Sequence, residues 1–206
     1  MGESARFSAP VSIPRPRGSR LIEAFSPKLG RRLRCFGRHA FDQWIRLESD
    51  PAVLAFCERP LALDEGDNKR LIDYWVRSQD HESLLIIGDE CPVPNMTSGN
   101  ESLSIRSVPL AELAAARTWI ANWERMLPCM IACRSCLSNA LMQAVADLVS
   151  APMQLSRIER EFAANDPALV RAAVFSLLHR GQLQAPKLTT EPLSFLTPFE
   201  PLGERG

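Results

Sequence analysis

The sequence predicts an α+β or α/β fold, with a mixed β-sheet first and helices after it. Three observations predict it. Short apolar runs of strand length crowd the first half: VLAFCERPLAL (53–63), LIDYWVR (71–77) and SLLIIG (83–88). From Val108 onward the apolar residues recur at helical spacing, through 110–127 and again through 130–150. Beyond residue 150 the chain reads helix, turn, helix, glycine, ribbon. The plan that follows is a basic Pro/Ser-rich arm at 1–19, a sheet domain at 20–108, a helical connector at 109–149 and a last domain at 150–206.

Each element has its own reason. Residues 1–19 hold Pro, Ser and Arg with little to bury and are expected to be poorly ordered. Residues 20–26 read as a short helical turn ending near Pro27, and LRCF (33–36) as a strand. Phe41, Trp44 and Ile45 share one helical face between Arg38 and Leu47, and Ser49-Asp50-Pro51 ends that helix. The strand over 53–63 is interrupted at Pro60, and Asp64 to Lys69 reads as a turn. Polar SQDHE between 71–77 and 83–88 predicts a hairpin, and CPVPNMTSGNES (91–102) has the composition of a loop. Pro128 splits the following helical stretch.

Near the end, Leu155, Ile158 and Phe162 line one face of a helix over 150–162. Asp166 suits a helix N-cap with Pro167 at the first helical position, and Gly181 stops the helix over 168–181. Leu183 opens a short strand, and 186–196 folds back as a ribbon. That order is the outline of a winged helix-turn-helix. A plain helical subdomain for protein contacts fits the same pattern.

Composition bounds the rest. Hydrophobic residues make up 46% and charged residues 23%, which excludes a chain disordered throughout, a collagen and a coiled coil. No apolar run is long enough for a membrane span. The first twenty residues lack the apolar middle of a secretory signal and run into a basic block, so a cytoplasmic protein is expected. Lys+Arg and Asp+Glu are 24 each, but they are unevenly spread. Residues 1–46 carry ten Arg/Lys against Glu3, Glu23 and Asp42, a local excess of +7. Such a segment suits an anionic partner, most simply nucleic acid, or is a solvated arm. The six cysteines come without a secretory signal, so free thiols are expected. Cys129, Cys133 and Cys136 fall on one helical face, where they read as small core residues rather than as zinc ligands.

The stretch GRRLRCFGRHAFDQWIRLESDPAVLAFCERPLAL (30–63) carries a further signal. It resembles the N-terminal nuclease domain of the TnsA endonuclease subunits of heteromeric transposases. Gly30-Arg31-Arg32 stands at the family's basic strand, Asp50-Pro51 with Val53 at its "DP-x-V" step, and Arg59-Pro60 near its "QP". IDYWV (72–76) falls at the "PDF-V" strand and LLIIGDE (84–90) at the "IEVK" strand, so the likeness covers about residues 28–90. It implies a restriction-endonuclease-like core with a winged-helix region after it.

The resemblance also implies a chemistry. Two carboxylates and a main-chain oxygen hold Mg²⁺, which activates water against a phosphodiester, while a Lys adds charge at the transition state. The family's helix Glu falls on Ala40 here, its strand Asp on Asp73, and its "ExK" pair on Gly88 and Glu90, or on Ile87 and Asp89 after a one-residue slip. Asp73 is thus the retained candidate for catalysis and for metal, with Asp89 and Glu90 as substitutes. Asp42 lies two residues from Ala40, nearly opposite on a helix at about 100° per residue, and His39 is a possible neighbour of Asp73. Asp73 also has a purely structural reading, a strand-end Asp bonded to backbone.

Three functions follow. The first is a TnsA-like subunit with a degenerate centre, needing no cofactor and bound to DNA at transposon ends, to a transposase subunit and to an AAA+ ATPase of the same element. Arg31, Arg32, Arg34 and Arg38 would lie along phosphates, Arg171 would reach a groove, and Lys187 would be the wing contact. The second is a diverged Mg²⁺-dependent endonuclease using Asp73 with Asp89 or Glu90. The third is a winged-helix DNA-binding regulator on a scaffold. The first is the expected one.

Overall fold

Two runs of alternating burial begin the chain's regular structure. In Arg31–Phe36 (β2), Leu33 and Cys35 point inward while Arg32 and Arg34 face solvent, the period of two that a half-buried strand requires. Leu21–Ser26 (β1) pairs with it antiparallel, Leu21 opposite Phe36 and Ser26 opposite Arg31. This corrects the helical turn expected at 20–26: a six-residue apolar-polar run satisfies either period, and the hairpin partner decides. The connection closes at Gly30, whose φ of 66° is open to glycine at little cost. The structure, a computed structural model, describes residues 6–65, 68–88, 95–98 and 101–203.

The chain divides into two compact units, residues 1–48 with 52–115 and residues 49–51 with 116–206. In the first, Arg38–Ser49 (α1) follows the hairpin with Trp44, Ile45 and Leu47 buried. Then come Val53–Glu58 (β3), Ala62–Glu65 (β4), Asn68–Leu71 (β5), Tyr74–Ser78 (β6), Glu82–Ile87 (β7), Asn95–Ser98 (β8), Glu101–Val108 (β9) and the short helix Leu110–Ala115 (α2). A five-stranded mixed sheet runs in the order β3-β6-β7-β9-β8. Its β7–β9 pair is parallel and its other pairs are antiparallel.

The register explains the core. Cys57, Trp75, Leu84 and Ile105 stand opposite one another in one row across four strands. All four are buried, and Ile72, Ile86 and Leu103 complete the cluster. Slipping any strand by one residue would turn this row to the other face. Phe7 packs on the same cluster, its ring 5.7 Å from that of Trp75. The Val11 N–H donates to the Arg59 carbonyl at 2.9 Å. The arm is therefore docked around Phe7 and Val11, which supply burial that the Pro/Ser composition lacks, while most of 12–18 is exposed.

Two further local expectations change. The turn read at 64–69 overlaps the ends of β4 and β5, which pair antiparallel; residues 66–67 lie outside the described residues. The loop read at 91–102 contains β8 and the start of β9, whose pairing with each other overrides a loop-like composition.

The second unit holds Arg117–Cys133 (α3), Asn139–Leu148 (α4), Met153–Gln154 (β10), Leu155–Glu161 (α5), Pro167–His179 (α6), Leu183–Gln184 (β11), a 3₁₀ turn at Pro186–Thr189 and Pro198–Pro201 (β12). Helix α3 continues through Pro128, where the sequence predicts a break. Pro in a helix interior costs about 3 kcal/mol, and the burial of Trp123, Met126, Leu127 and Met130 along α3 opposes it. Asp166 caps α6 as expected, accepting from the Ala168 N–H at 2.8 Å with Pro167 in the first turn. The ribbon expected within 186–196 is instead β11 and β12, with the 3₁₀ turn between them. The small sheet has the order β10-β12-β11, antiparallel throughout.

No helix among the described residues is long and apolar enough to cross a membrane.

Candidate functional site

Asp73 stands immediately before β6. Its backbone belongs to the sheet: its N–H donates to the Leu85 carbonyl at 3.0 Å and its carbonyl accepts from the Arg59 N–H at 2.8 Å. Its carboxylate accepts from the Ile87 N–H at 2.7 Å. Burial pushes the Asp73 carboxyl up to about 6. The Ile87 hydrogen bond and the positive charges of Arg70 and Arg59 oppose that rise without cancelling it. The carboxylate therefore sits at the end of a strand and ties it to β7.

Next to it, Tyr74 is fully buried. Its hydroxyl donates to the Ala40 carbonyl at 2.8 Å and meets the Cys35 thiol at 3.4 Å. So Ala40, on α1, is one side-chain length from the residue that follows Asp73. Burial pushes the Tyr74 hydroxyl well above its ordinary range and the Cys35 thiol up to about 11, so both stay neutral at pH 7. Gly88, the other position that the resemblance singled out, has its N–H on the Val108 carbonyl at 3.0 Å, and its carbonyl accepts from the Ser107 hydroxyl.

Of the described positions that the resemblance points to, only Asp73 offers a side-chain ligand to a divalent ion. Mg²⁺ demands oxygen ligands. Ala40 and Gly88 have no donor side chain, and one Asp73 oxygen is taken by a backbone N–H. Among the described residues no three His, Cys, Asp or Glu are grouped to hold a metal. Asp89 and Glu90 lie outside the described residues.

The pattern did not point to the buried ion pair beside this place. Arg31 reaches Glu58 with two parallel hydrogen bonds, 2.9 and 2.6 Å. Glu58 is almost wholly buried, and the pair raises the Arg31 guanidinium further above its ordinary value. Arg59 adds a buried cation. It has φ 47°, a costly conformation for a non-glycine residue. Its guanidinium lies 4.5 Å from the centre of the Phe36 ring and donates to the Arg34 carbonyl. Only the spacing of Arg59-Pro60 within the resemblance singled it out.

The basic row divides by role. Arg31 is a structural clamp. Arg34 pairs with Glu23 across the hairpin at 2.8 Å, on the solvent face. Arg38 pairs with Asp42 one turn along α1 at 2.6 Å. Arg32 is exposed on the face it shares with Arg34, and Arg15, Arg17 and Arg20 are exposed on the segment leading into β1. These four offer fixed positive charge to an anionic polymer, while Glu23 and Asp42 offset their neighbours.

In the second unit, α6 is enclosed. Val170 and every residue from Ala172 to Leu178 are buried, against α3, α4, α5 and β11. Arg171 sits on its outer edge, bonded to Glu159 at 2.5 Å, with its guanidinium 5.5 Å from the centre of the Phe195 ring. Lys187 is exposed in the 3₁₀ turn, 3.8 Å from Glu191. The His179 and Trp123 ring centres are 5.9 Å apart. Cys129 and Cys133, expected in the core, are only half-buried and turn their thiols to the Ala168 carbonyl at 3.6 and 3.7 Å, while Cys136 is exposed.

What these two places can do is therefore unequal: the surroundings of Asp73 hold a sheet together, and the exposed arginines can hold phosphates. No family model matches the chain, and no curated protein matches it.

Proposed function

We propose that this chain is a TnsA-like subunit of a transposition complex that binds duplex DNA without cutting it. The observation that carries the reading is the Ala40–Tyr74 contact beside Asp73. The resemblance calls for an acid at each of positions 40 and 73, and position 40 is an alanine whose carbonyl accepts from the hydroxyl of the residue after Asp73. Losing a metal ligand removes both water activation and leaving-group stabilisation, so hydrolysis falls by orders of magnitude.

The mixed sheet, with α1 between β2 and β3 and Asp73 at the head of β6, supports a restriction-endonuclease-like core. The order α5, α6, β11, β12 with β12 between β10 and β11 supports a winged-helix ancestry for the end. The enclosed α6 favours protein contact there over groove reading, since a reading helix needs an open face. On this reading the DNA contact belongs to Arg15, Arg17, Arg20 and Arg32. The transposase subunit and AAA+ ATPase of the same element are its protein partners, in the cytoplasm.

Fluorescence anisotropy on a labelled duplex over a salt series tests the DNA contact. Each arginine on a phosphate contributes about one unit to the slope of log K against log salt. Replacing Arg15, Arg17, Arg20 and Arg32 by Ala together should flatten that slope by up to about four, with little dependence on sequence. An unchanged slope would place the contact elsewhere and remove this part of the reading.

A further inference from the structure

The second unit contains a cavity of about 380 Å³, lined by Arg125 and Cys129 of α3, Leu155 of α5, Arg171 and Phe175 of α6, and Leu193, Ser194 and Phe195 of the loop before β12. Its apolar lining includes Leu155, Phe175 and Leu193, all buried. Arg125 and Arg171 contribute two guanidinium groups to its lining. Glu159 holds Arg171, whereas Arg125 makes no ion pair among the described residues and donates only to the Leu193 carbonyl, at 2.9 Å.

The loop that forms one wall is fixed by its backbone. The Leu193 N–H donates to the buried Asn122 side chain at 2.7 Å and the Ser194 N–H to the Thr197 hydroxyl at 2.9 Å. The Phe195 carbonyl accepts from the Ser156 N–H at 2.9 Å, and the Thr197 carbonyl from the Leu155 N–H at 3.0 Å. Yet Phe195 is 55% exposed and Leu196 67% exposed. A rigid loop that holds an aromatic ring at the edge of an apolar cavity, facing an arginine, is a wall prepared in advance, and such preparation reduces the entropy lost on binding.

We propose that this cavity binds a small carboxylic acid with an apolar body, such as an aryl-alkanoate, its carboxylate on Arg125 and its body between Phe175, Leu193 and Phe195. The chemistry selects that class. A guanidinium fork matches a carboxylate with two parallel hydrogen bonds. The apolar floor has nothing to offer a multiply charged, strongly hydrated phosphate. The volume lies at the small end of the range of ligand pockets, which suits one ring and a short chain. The proposal does not rest on the DNA reading, and either can fail alone.

The test is calorimetric and NMR titration of the full chain with 3-phenylpropionate and with its neutral amide. The acid should bind saturably and about two- to fivefold more tightly than the amide, the difference expected of an ion pair at an exposed guanidinium. Arg125→Gln should abolish that preference. Phe195→Ser, at an exposed side chain that the fold does not need, should weaken acid and amide alike. Equal affinity for the two probes, no binding of the acid, or an acid preference that survives Arg125→Gln would each overturn the proposal.

Discussion

Replacing Asp73 by Asn tests whether this acid is kept at a cost to the fold. Asn retains an oxygen for the Ile87 N–H, so the tie between the head of β6 and the end of β7 survives. What it removes is the charge. Burial raises the carboxyl from 3.8 to about 6, so the folded chain holds this proton more tightly than the unfolded chain does. The stabilising contribution is therefore complete below pH 3.8 and is lost as the pH rises through 6. Two units correspond to roughly 3 kcal/mol at most, since one unit is about 1.4 kcal/mol. Urea unfolding of both proteins from about pH 4 to about pH 7.5 reads the difference. Relative to wild type, Asp73→Asn should gain stability up to about pH 6 and level off above it, by roughly 2 to 3 kcal/mol in total. Parallel pH profiles would refute the reasoning, because they would mean that Asp73 ionises as freely in the folded chain as in the unfolded one.

Other perturbations follow from the same geometry. Arg31→Ala should destabilise the chain by about 3 kcal/mol or more, since it leaves the nearly buried Glu58 carboxylate without its cation; the double variant Arg31→Met, Glu58→Leu should recover much of that loss in the same urea assay. Asn122→Ala should cost about 2 to 4 kcal/mol, because this buried amide donates to the Leu188 and Glu191 carbonyls and accepts from the Leu193 N–H. Hydrogen exchange should then speed up at Leu193 in particular.

What the sequence conveyed was mostly local. Phe41, Trp44 and Ile45 at helical spacing locate α1, SQDHE between two apolar runs locates the β6–β7 hairpin, and Asp166-Pro167 marks the start of α6. Each signal lies within one or two turns of chain. The strand at 21–26 depends on its pairing with 31–36, and β8 depends on β9; neither pairing shows in the local composition. Pro128 misled for the opposite reason: its local cost is real, but packing along α3 outweighs it.

The site divides in the same way. The strand-end role of Asp73 is legible from its place before a strand. The Arg31–Glu58 pair joins residues 27 apart in sequence and leaves no periodic trace. Arg171 occupies the helix half that a groove-reading helix would use, yet Glu159 and Phe195 hold it. The run ALVRAAVFSLLH does carry a warning, because a helix apolar on nearly all sides is a buried one.

The most direct measurement is the fate of an end-labelled transposon-end duplex incubated with this protein and the transposase subunit proposed as its partner, in Mg²⁺ or Mn²⁺, resolved on native and denaturing gels side by side. The account predicts a retarded band on the first and, on the second, no fragment that depends on this protein. Shortened strands that appear with wild type and vanish with Asp73→Ala would contradict it.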